Sequence, residues 1–220
     1  MKKILYSVAL AACCMGTMTS CSDFLDASNK SNVTAKQSFA TKEGLNNLVN
    51  NAYQHLQNVY AAPLFTSCFS AGTDMYADAR NKMNEALNTY ETLTPENTDI
   101  KNLYTYLYAG IRAANSVSYY AQTAQVDDKT KGQLIGEARV LAAYEYYLLV
   151  NNFGGVPIMK DFLTTADTGY PKSSAADVYA YIISELEDVI GKNVLQASTA
   201  TKGGGRISQE TAKAILAKTY

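Results

Sequence analysis

Apolar residues recur at the helical period along most of this chain, and that pattern points to an all-α fold. Leu45, Leu48, Val49, Ala52, Leu56 and Val59 fall on one helical face, since positions three and four apart lie over one another on a helix. Thr41 is placed to cap this segment, with Glu43 in its first turn and Pro63 just beyond its end. A second stripe, Ile100, Leu103, Tyr104, Leu107, Tyr108 and Ile111, opens near Thr98-Asp99 and continues to about Gln122. A third helix is expected over about 128–151, with Leu134, Ala138, Leu141 and Leu148 on its face; Glu145 interrupts the stripe, either as an interior acid with a partner or, the reading preferred, at the stripe's edge. Asn152-Phe-Gly-Gly-Val-Pro157 supplies its stop signals. A fourth starts at Ser174, whose pairing with Asp177 resembles a capping box, and Gly191 is read as its stop. A fifth opens at Ser208.

The later helices begin roughly 33 to 45 residues apart, which resembles helix–turn–helix repeats of the tetratricopeptide kind, with a period of about 34. Ala212, Ile215, Leu216 and Thr219 begin a stripe that has no closing cap. The expectation is an N-terminal piece of a longer protein. Residues 61–95 form a long, weakly periodic loop, and loops of that length in compact domains are usually functional.

The first twenty residues have a different character. Met1-Lys2-Lys3 is basic, a mostly apolar run follows, and Met18-Thr19-Ser20-Cys21 resembles a bacterial lipobox. The run is too short and too polar at its end for a membrane span of about 20 apolar residues. The reading is a lipoprotein signal over 1–20, lipid on the Cys21 sulfur, a polar flexible tether over 21–36, and a helical domain over 37–220. The protein is thus expected to work outside the cytoplasm. Cys13 and Cys14 leave with the signal, so Cys68 has no partner for an intramolecular disulfide and is expected to act as a small buried hydrophobe.

Charge and chemistry narrow the function classes. Without Lys2 and Lys3, 17 basic residues face 20 acidic ones, a net charge of about −3, which gives no reason to expect nucleic acid. No Cys/His set has metal spacing, no cofactor is implied, and no nucleophile or acid–base pair is completed, so an enzyme is not expected. Glycines 203–205 lack the Lys-Ser/Thr of a phosphate loop. Glu137 and Arg139 are expected to pair with neighbouring helices, whereas Glu185, Glu187 and Asp188 read as a solvated surface. Aromatics are skewed to 17 Tyr and 6 Phe with no Trp. Tyrosine combines an apolar face with a polar tip, suiting helix packing and sugar stacking alike. Tyr144, Tyr146 and Tyr147 cannot share one face and are mostly packing residues.

Four stretches together resemble the SusD/RagB lipoproteins. They are Cys21-Ser-Asp-Phe-Leu-Asp26; Leu103-Tyr104 through Ile111, Ala114 and Asn115; Glu137-Ala-Arg-Val-Leu-Ala-Ala-Tyr144 with Leu148-Leu-Val-Asn-Asn-Phe-Gly-Gly-Val-Pro157; and Val178-Tyr179 through Leu186, with Gly205-Arg-Ile-Ser208 and Ala212-Lys-Ala-Ile-Leu-Ala-Lys-Thr-Tyr220. The chain departs from the family at Ala142-Ala143, where Arg-Ala is usual, and in having no Trp, which sets aside a Trp-lined sugar platform. The resemblance implies a tetratricopeptide-like helical scaffold with irregular ligand-side loops. It implies an outer-membrane surface lipoprotein that acts as lid on a TonB-dependent, SusC-like transporter and captures oligosaccharide without hydrolysing it. In the RagB branch the ligand is peptide; a helical-repeat adaptor that binds only the transporter is the other reading. The loop that matches the family's ligand face contributes Asp74, Tyr76, Asp78, Arg80, Tyr90 and Asn97. Of these, Asp74, Tyr76, Arg80, Tyr90 and Asn97 are the ligand candidates.

Overall fold

Local capping chemistry sets where the helices begin. The computed structural model describes residues 34–61, 63–76, 85–165, 169–198 and 205–220. The lipobox, Cys21 and most of the expected tether lie outside these residues. Ala35–Tyr220 forms one compact unit, and among the described residues it is built of helices without a strand. A short α1 (Ala35–Ser38) precedes α2 (Lys42–Tyr60). Thr41 Oγ1 accepts from Gly44 N at 3.1 Å, as a hydroxyl cap should. The long loop is partly helical, with α3 (Leu64–Phe69) and α4 (Glu85–Thr89) inside it.

The two longest helices follow. Asn97 opens α5 (Thr98–Ala121), its Oδ1 accepting from Asp99 N at 3.0 Å and Ile100 N at 3.2 Å. Asp127 opens α6 (Asp128–Phe153), accepting from Thr130 N at 2.9 Å. Both consecutive glycines after α6 have a reason. Gly154 adopts φ 69°, a left-handed conformation costly for a side chain. A Cβ on Gly155 would lie 2.2 Å from the Ser173 carbonyl oxygen.

The Ser174–Asp177 capping box is present at the start of α7 (Ala175–Lys192). Gly191 does not stop this helix. It runs on to Lys192, and Asn193 supplies the left-handed residue at φ 49°. Ser208 caps α8 (Gln209–Thr219).

The major helices pack as a ladder: α2 along α5, α5 along α6, α6 along α7, and α7 against α8, with α2 also reaching α6. The expected stripes supply the core, including Leu45, Val49, Leu107, Ile111, Leu141, Leu149, Ile182 and Leu186, all at most 1% exposed. Burying such a side chain contributes about 1.5–3 kcal/mol.

Among the charged residues on α6, Glu145 departs from the preferred expectation, whereas Arg139 and Glu137 are paired as expected. Glu145 is not at the stripe's edge but fully buried, opposite Gly110 of α5. Arg139 does reach the neighbouring helix, donating to Glu185 at 2.7 Å and to Asp188. Those two acids therefore belong to an ion-pair group that also includes Lys192, rather than to a merely solvated face. Glu137 pairs with Arg206, in the segment leading into α8, at 2.8 Å.

Candidate functional site

The long loop returns to the ends of α5 and α6 and leaves a cavity of about 390 Å³ between them. Cys68 of α3, Leu87 of α4, Tyr90, Ile100 and Leu103 of α5, and Asn152 and Phe153 of α6 line it. Tyr90 holds an uncommon backbone conformation for a residue with a side chain, φ 63°. Its hydroxyl donates to the Gly72 carbonyl at 3.4 Å, and Gly72 N donates to Asn88 Oδ1 at 3.3 Å. A Cβ on Gly72 would lie 2.1 Å from that hydroxyl, so a glycine is required for the ring to close on the loop. Tyr90 nevertheless stays 59% exposed. Backbone strain of this kind costs about 1–3 kcal/mol and concentrates at ligand sites.

Of the other candidates, Asp74 and Tyr76 stand on the turn after α3, Asp74 exposed and Tyr76 half-buried. Asn97 lies outside the cavity lining, its side-chain oxygen engaged in capping α5. Arg80 falls outside the described residues, as does Asp78. The structure therefore brings Tyr90 to the cavity, and joins to it Phe153 and Asn152, which the sequence marks as helix-ending and family-motif residues but not as ligand candidates. Cys68 is half-buried. Burial, helped by the negative charge of Asp99, pushes its thiol up to about 11, so it holds its proton at neutral pH.

A second aromatic surface adjoins this one. Tyr104 meets Phe153 edge-on at 5.2 Å and Tyr108 at 4.7 Å. The segment after α6 is held by three side chains. The Tyr108 hydroxyl donates to Pro157 O at 2.7 Å, Asn115 Nδ2 donates to Met159 O at 2.8 Å, and Met159 N donates to the Tyr146 hydroxyl at 2.7 Å. At the junction of α2 and α3, the Tyr60, Phe65 and Phe69 rings cluster with centres 5.4–6.3 Å apart. Among the described residues no group of three or more His, Cys, Asp or Glu could hold a metal ion, and no helix is long and apolar enough to cross a membrane.

Comparison with known proteins agrees with this architecture. A SusD-like family model described as "Starch-binding associating with outer membrane" matches residues 23–220. A SusD-like protein of Formosa agariphila is 27% identical over 179 residues, 79% of this chain and 34% of that protein. A SusD-like protein of Bacteroides ovatus is 27% identical over 132 residues, 58% of this chain and 23% of that protein. Surface glycan-binding protein A from Bacteroides uniformis superposes with a TM-score of 0.68 at 25% identity, over 80% of this chain and 41% of that one. A laminarin-binding SusD-like protein shares the fold, with a TM-score of 0.69 at 23% identity, over 80% of this chain and 39% of that one. The chain thus spans about a third or less of the sequence relatives it matches. Its helical ladder, its motifs and the family match over residues 23–220 together place the chain in the SusD-like family.

Proposed function

We propose that this protein is a surface-exposed, glycan-binding lipoprotein that captures oligosaccharide and passes it to a TonB-dependent outer-membrane transporter. Residues 1–20 are the signal, Cys21 carries the lipid, 21–36 is the tether, and the helical domain follows. The anchor faces the cell exterior, and the protein binds its ligand without cleaving it. The observation that carries this reading is the match of residues 23–220 to a family described as starch-binding and associated with the outer membrane. The cavity beside Tyr90 adds a physical argument. Ligand sites are concave, mostly apolar, and carry a few polar groups that orient the ligand. Here Tyr90 and Phe153 supply aromatic lining, and the Tyr90 hydroxyl, whose proton goes to Gly72 O, and Asn152, whose Nδ2 donates to Leu148 O, have oxygens that can accept hydrogen bonds.

Titration calorimetry of the intact protein against neutral glucan hexamers tests the reading, with chromatography of the recovered ligand. The expected result is dissociable binding, ligand returned at full length, and a loss of about tenfold in affinity on Tyr90→Ala, the scale of an aromatic hot spot. Steady release of shortened products would sink the capture reading in favour of an enzyme. Binding of peptides in place of every glycan would assign the RagB-type role. Copurification with a barrel protein and no binding of either ligand would leave the transporter adaptor.

A further inference from the structure

We infer that the open groove along α5, walled by Tyr104, Tyr108, Arg112, Pro157, Met159 and Tyr170, is a second saccharide site, one that takes an acidic sugar. This rests on the glycan-capture reading and adds a place and a ligand class to it. The groove encloses about 420 Å³, within the ~300–1,000 Å³ range of small-molecule sites. It shares no lining residue with the Tyr90 cavity. The Tyr104–Phe153 ring pair stands between the two, Tyr104 facing one and Phe153 the other.

Its walls are fixed before any ligand arrives. Phe153 braces Tyr104 edge-on, Tyr104 packs on Tyr108, and the Tyr108 hydroxyl is bonded to the Pro157 carbonyl. Rings held in this way lose little freedom on binding, and a pyranose can lay its C–H face on them. Burial and the neighbouring Tyr104 hydroxyl push the Tyr108 phenol above its ordinary range, so it remains neutral.

Charge selects the ligand. Among the described residues that line the groove, Arg112 alone is charged. It is exposed, and its guanidinium lies 5.2 Å from the centre of the Phe162 ring, a cation–π contact on the side of the neighbouring pocket that Phe162 lines, so Arg112 borders both that pocket and the groove. A planar guanidinium bonds a carboxylate with two parallel N–H donors. A sugar stacked on the tyrosines and carrying a carboxylate toward Arg112 satisfies both features, which is the form of a uronic-acid residue.

The test is calorimetry of the intact protein with galacturonic, glucuronic and guluronic acid hexamers, beside the neutral glucan hexamers. Wild-type protein should bind at least one uronate hexamer. Arg112→Gln should weaken that binding about tenfold or more and reduce its salt dependence, while leaving neutral-glucan affinity unchanged and lowering the melting temperature only slightly through the lost Phe162 contact. Tyr170→Ala should weaken uronate binding without touching neutral-glucan binding. Wild-type protein that binds neutral glucans but no uronate overturns the inference and leaves the capture reading intact. So does uronate binding that neither substitution changes, which would mean that the uronate binds elsewhere on the protein. Failure to bind any glycan overturns both.

Discussion

Two glutamates on α6 show how differently one helix treats the same side chain. Glu137 is 1% exposed but fully partnered: Arg206 Nε at 2.8 Å, Gln133 Nε2 at 3.2 Å and the Tyr53 hydroxyl at 3.4 Å. Burial raises its pKa against the opposing charge of Arg206. Arg206 also donates to Asn50 at 2.8 Å and Asn46 at 3.1 Å, so one guanidinium ties the approach to α8 onto α2 and α6. Arg206→Ala strands the buried carboxylate and should cost about 3–5 kcal/mol in chemical denaturation. Arg206→Lys, which keeps the charge without the fork, should cost clearly less. Glu145 is 0% exposed, and neither of its oxygens has a hydrogen-bond partner among the described residues. Burial raises its pKa well above the ordinary carboxyl value. The native chain then keeps a proton that the unfolded chain releases above ~4.3. Stability is fullest below that pH and falls as pH rises toward the folded pKa. Glu145→Gln removes this titration. Its melting temperature should match wild type near pH 4.5 and exceed it increasingly toward pH 8, by a stability difference of about 1–3 kcal/mol. A difference that stays constant across that range would show that the carboxyl does not titrate in the fold.

Between elements, the tightest dependence joins α5 to α6. A Cβ on Gly110 would lie 1.7 Å from Glu145 Oε1, so the two helices approach as they do because position 110 has no side chain. Gly110→Ala should destabilise by about 1–3 kcal/mol through overpacking. Adding Glu145→Ala should recover part of that loss, a non-additivity that a double-mutant cycle reads directly. This contact also marks the limit of sequence reasoning. Helix starts were legible because Thr41, Ser174 and Ser208 cap through bonds to backbone three residues on, and the apolar stripes between them are local too. The stripe alone does not decide between an interior and an edge position for Glu145, because its burial depends on a glycine 35 positions away in sequence. The end of α7 was placed two residues early because Gly and Asn both tolerate the left-handed conformation, and Asn193 takes it. Tyr90 could be singled out from its loop. Its neighbours Phe153 and Asn152 could not, because only the packing of α5 on α6 brings them to the cavity.

For the molecule as a whole, the ladder from α2 to α8 provides a rigid support with the aromatic sites concentrated at the ends of α5 and α6. Rigid elements position ligand groups better than loops do, and here Tyr104, Tyr108 and Arg112 project from α5 itself, whereas Tyr90 depends on a strained turn. In the proposed capture role the protein gains nothing unless it is held where its ligand arrives, so the proposed anchor belongs to the same functional argument as the proposed sites. One acyl chain binds a bilayer marginally, at about 0.8 kcal/mol per buried CH₂, whereas several chains on one cysteine hold firmly. Cys21→Ala should therefore abolish incorporation of radiolabelled palmitate and move the protein from the membrane fraction to the soluble fraction. Wild-type protein should carry the label and sediment with outer membranes. Equal membrane association of the two forms, with neither labelled, would remove Cys21 from the mechanism and require a different means of retention. Loss of label with full retention of the variant would instead mean that contact with a membrane partner holds the protein without its lipid.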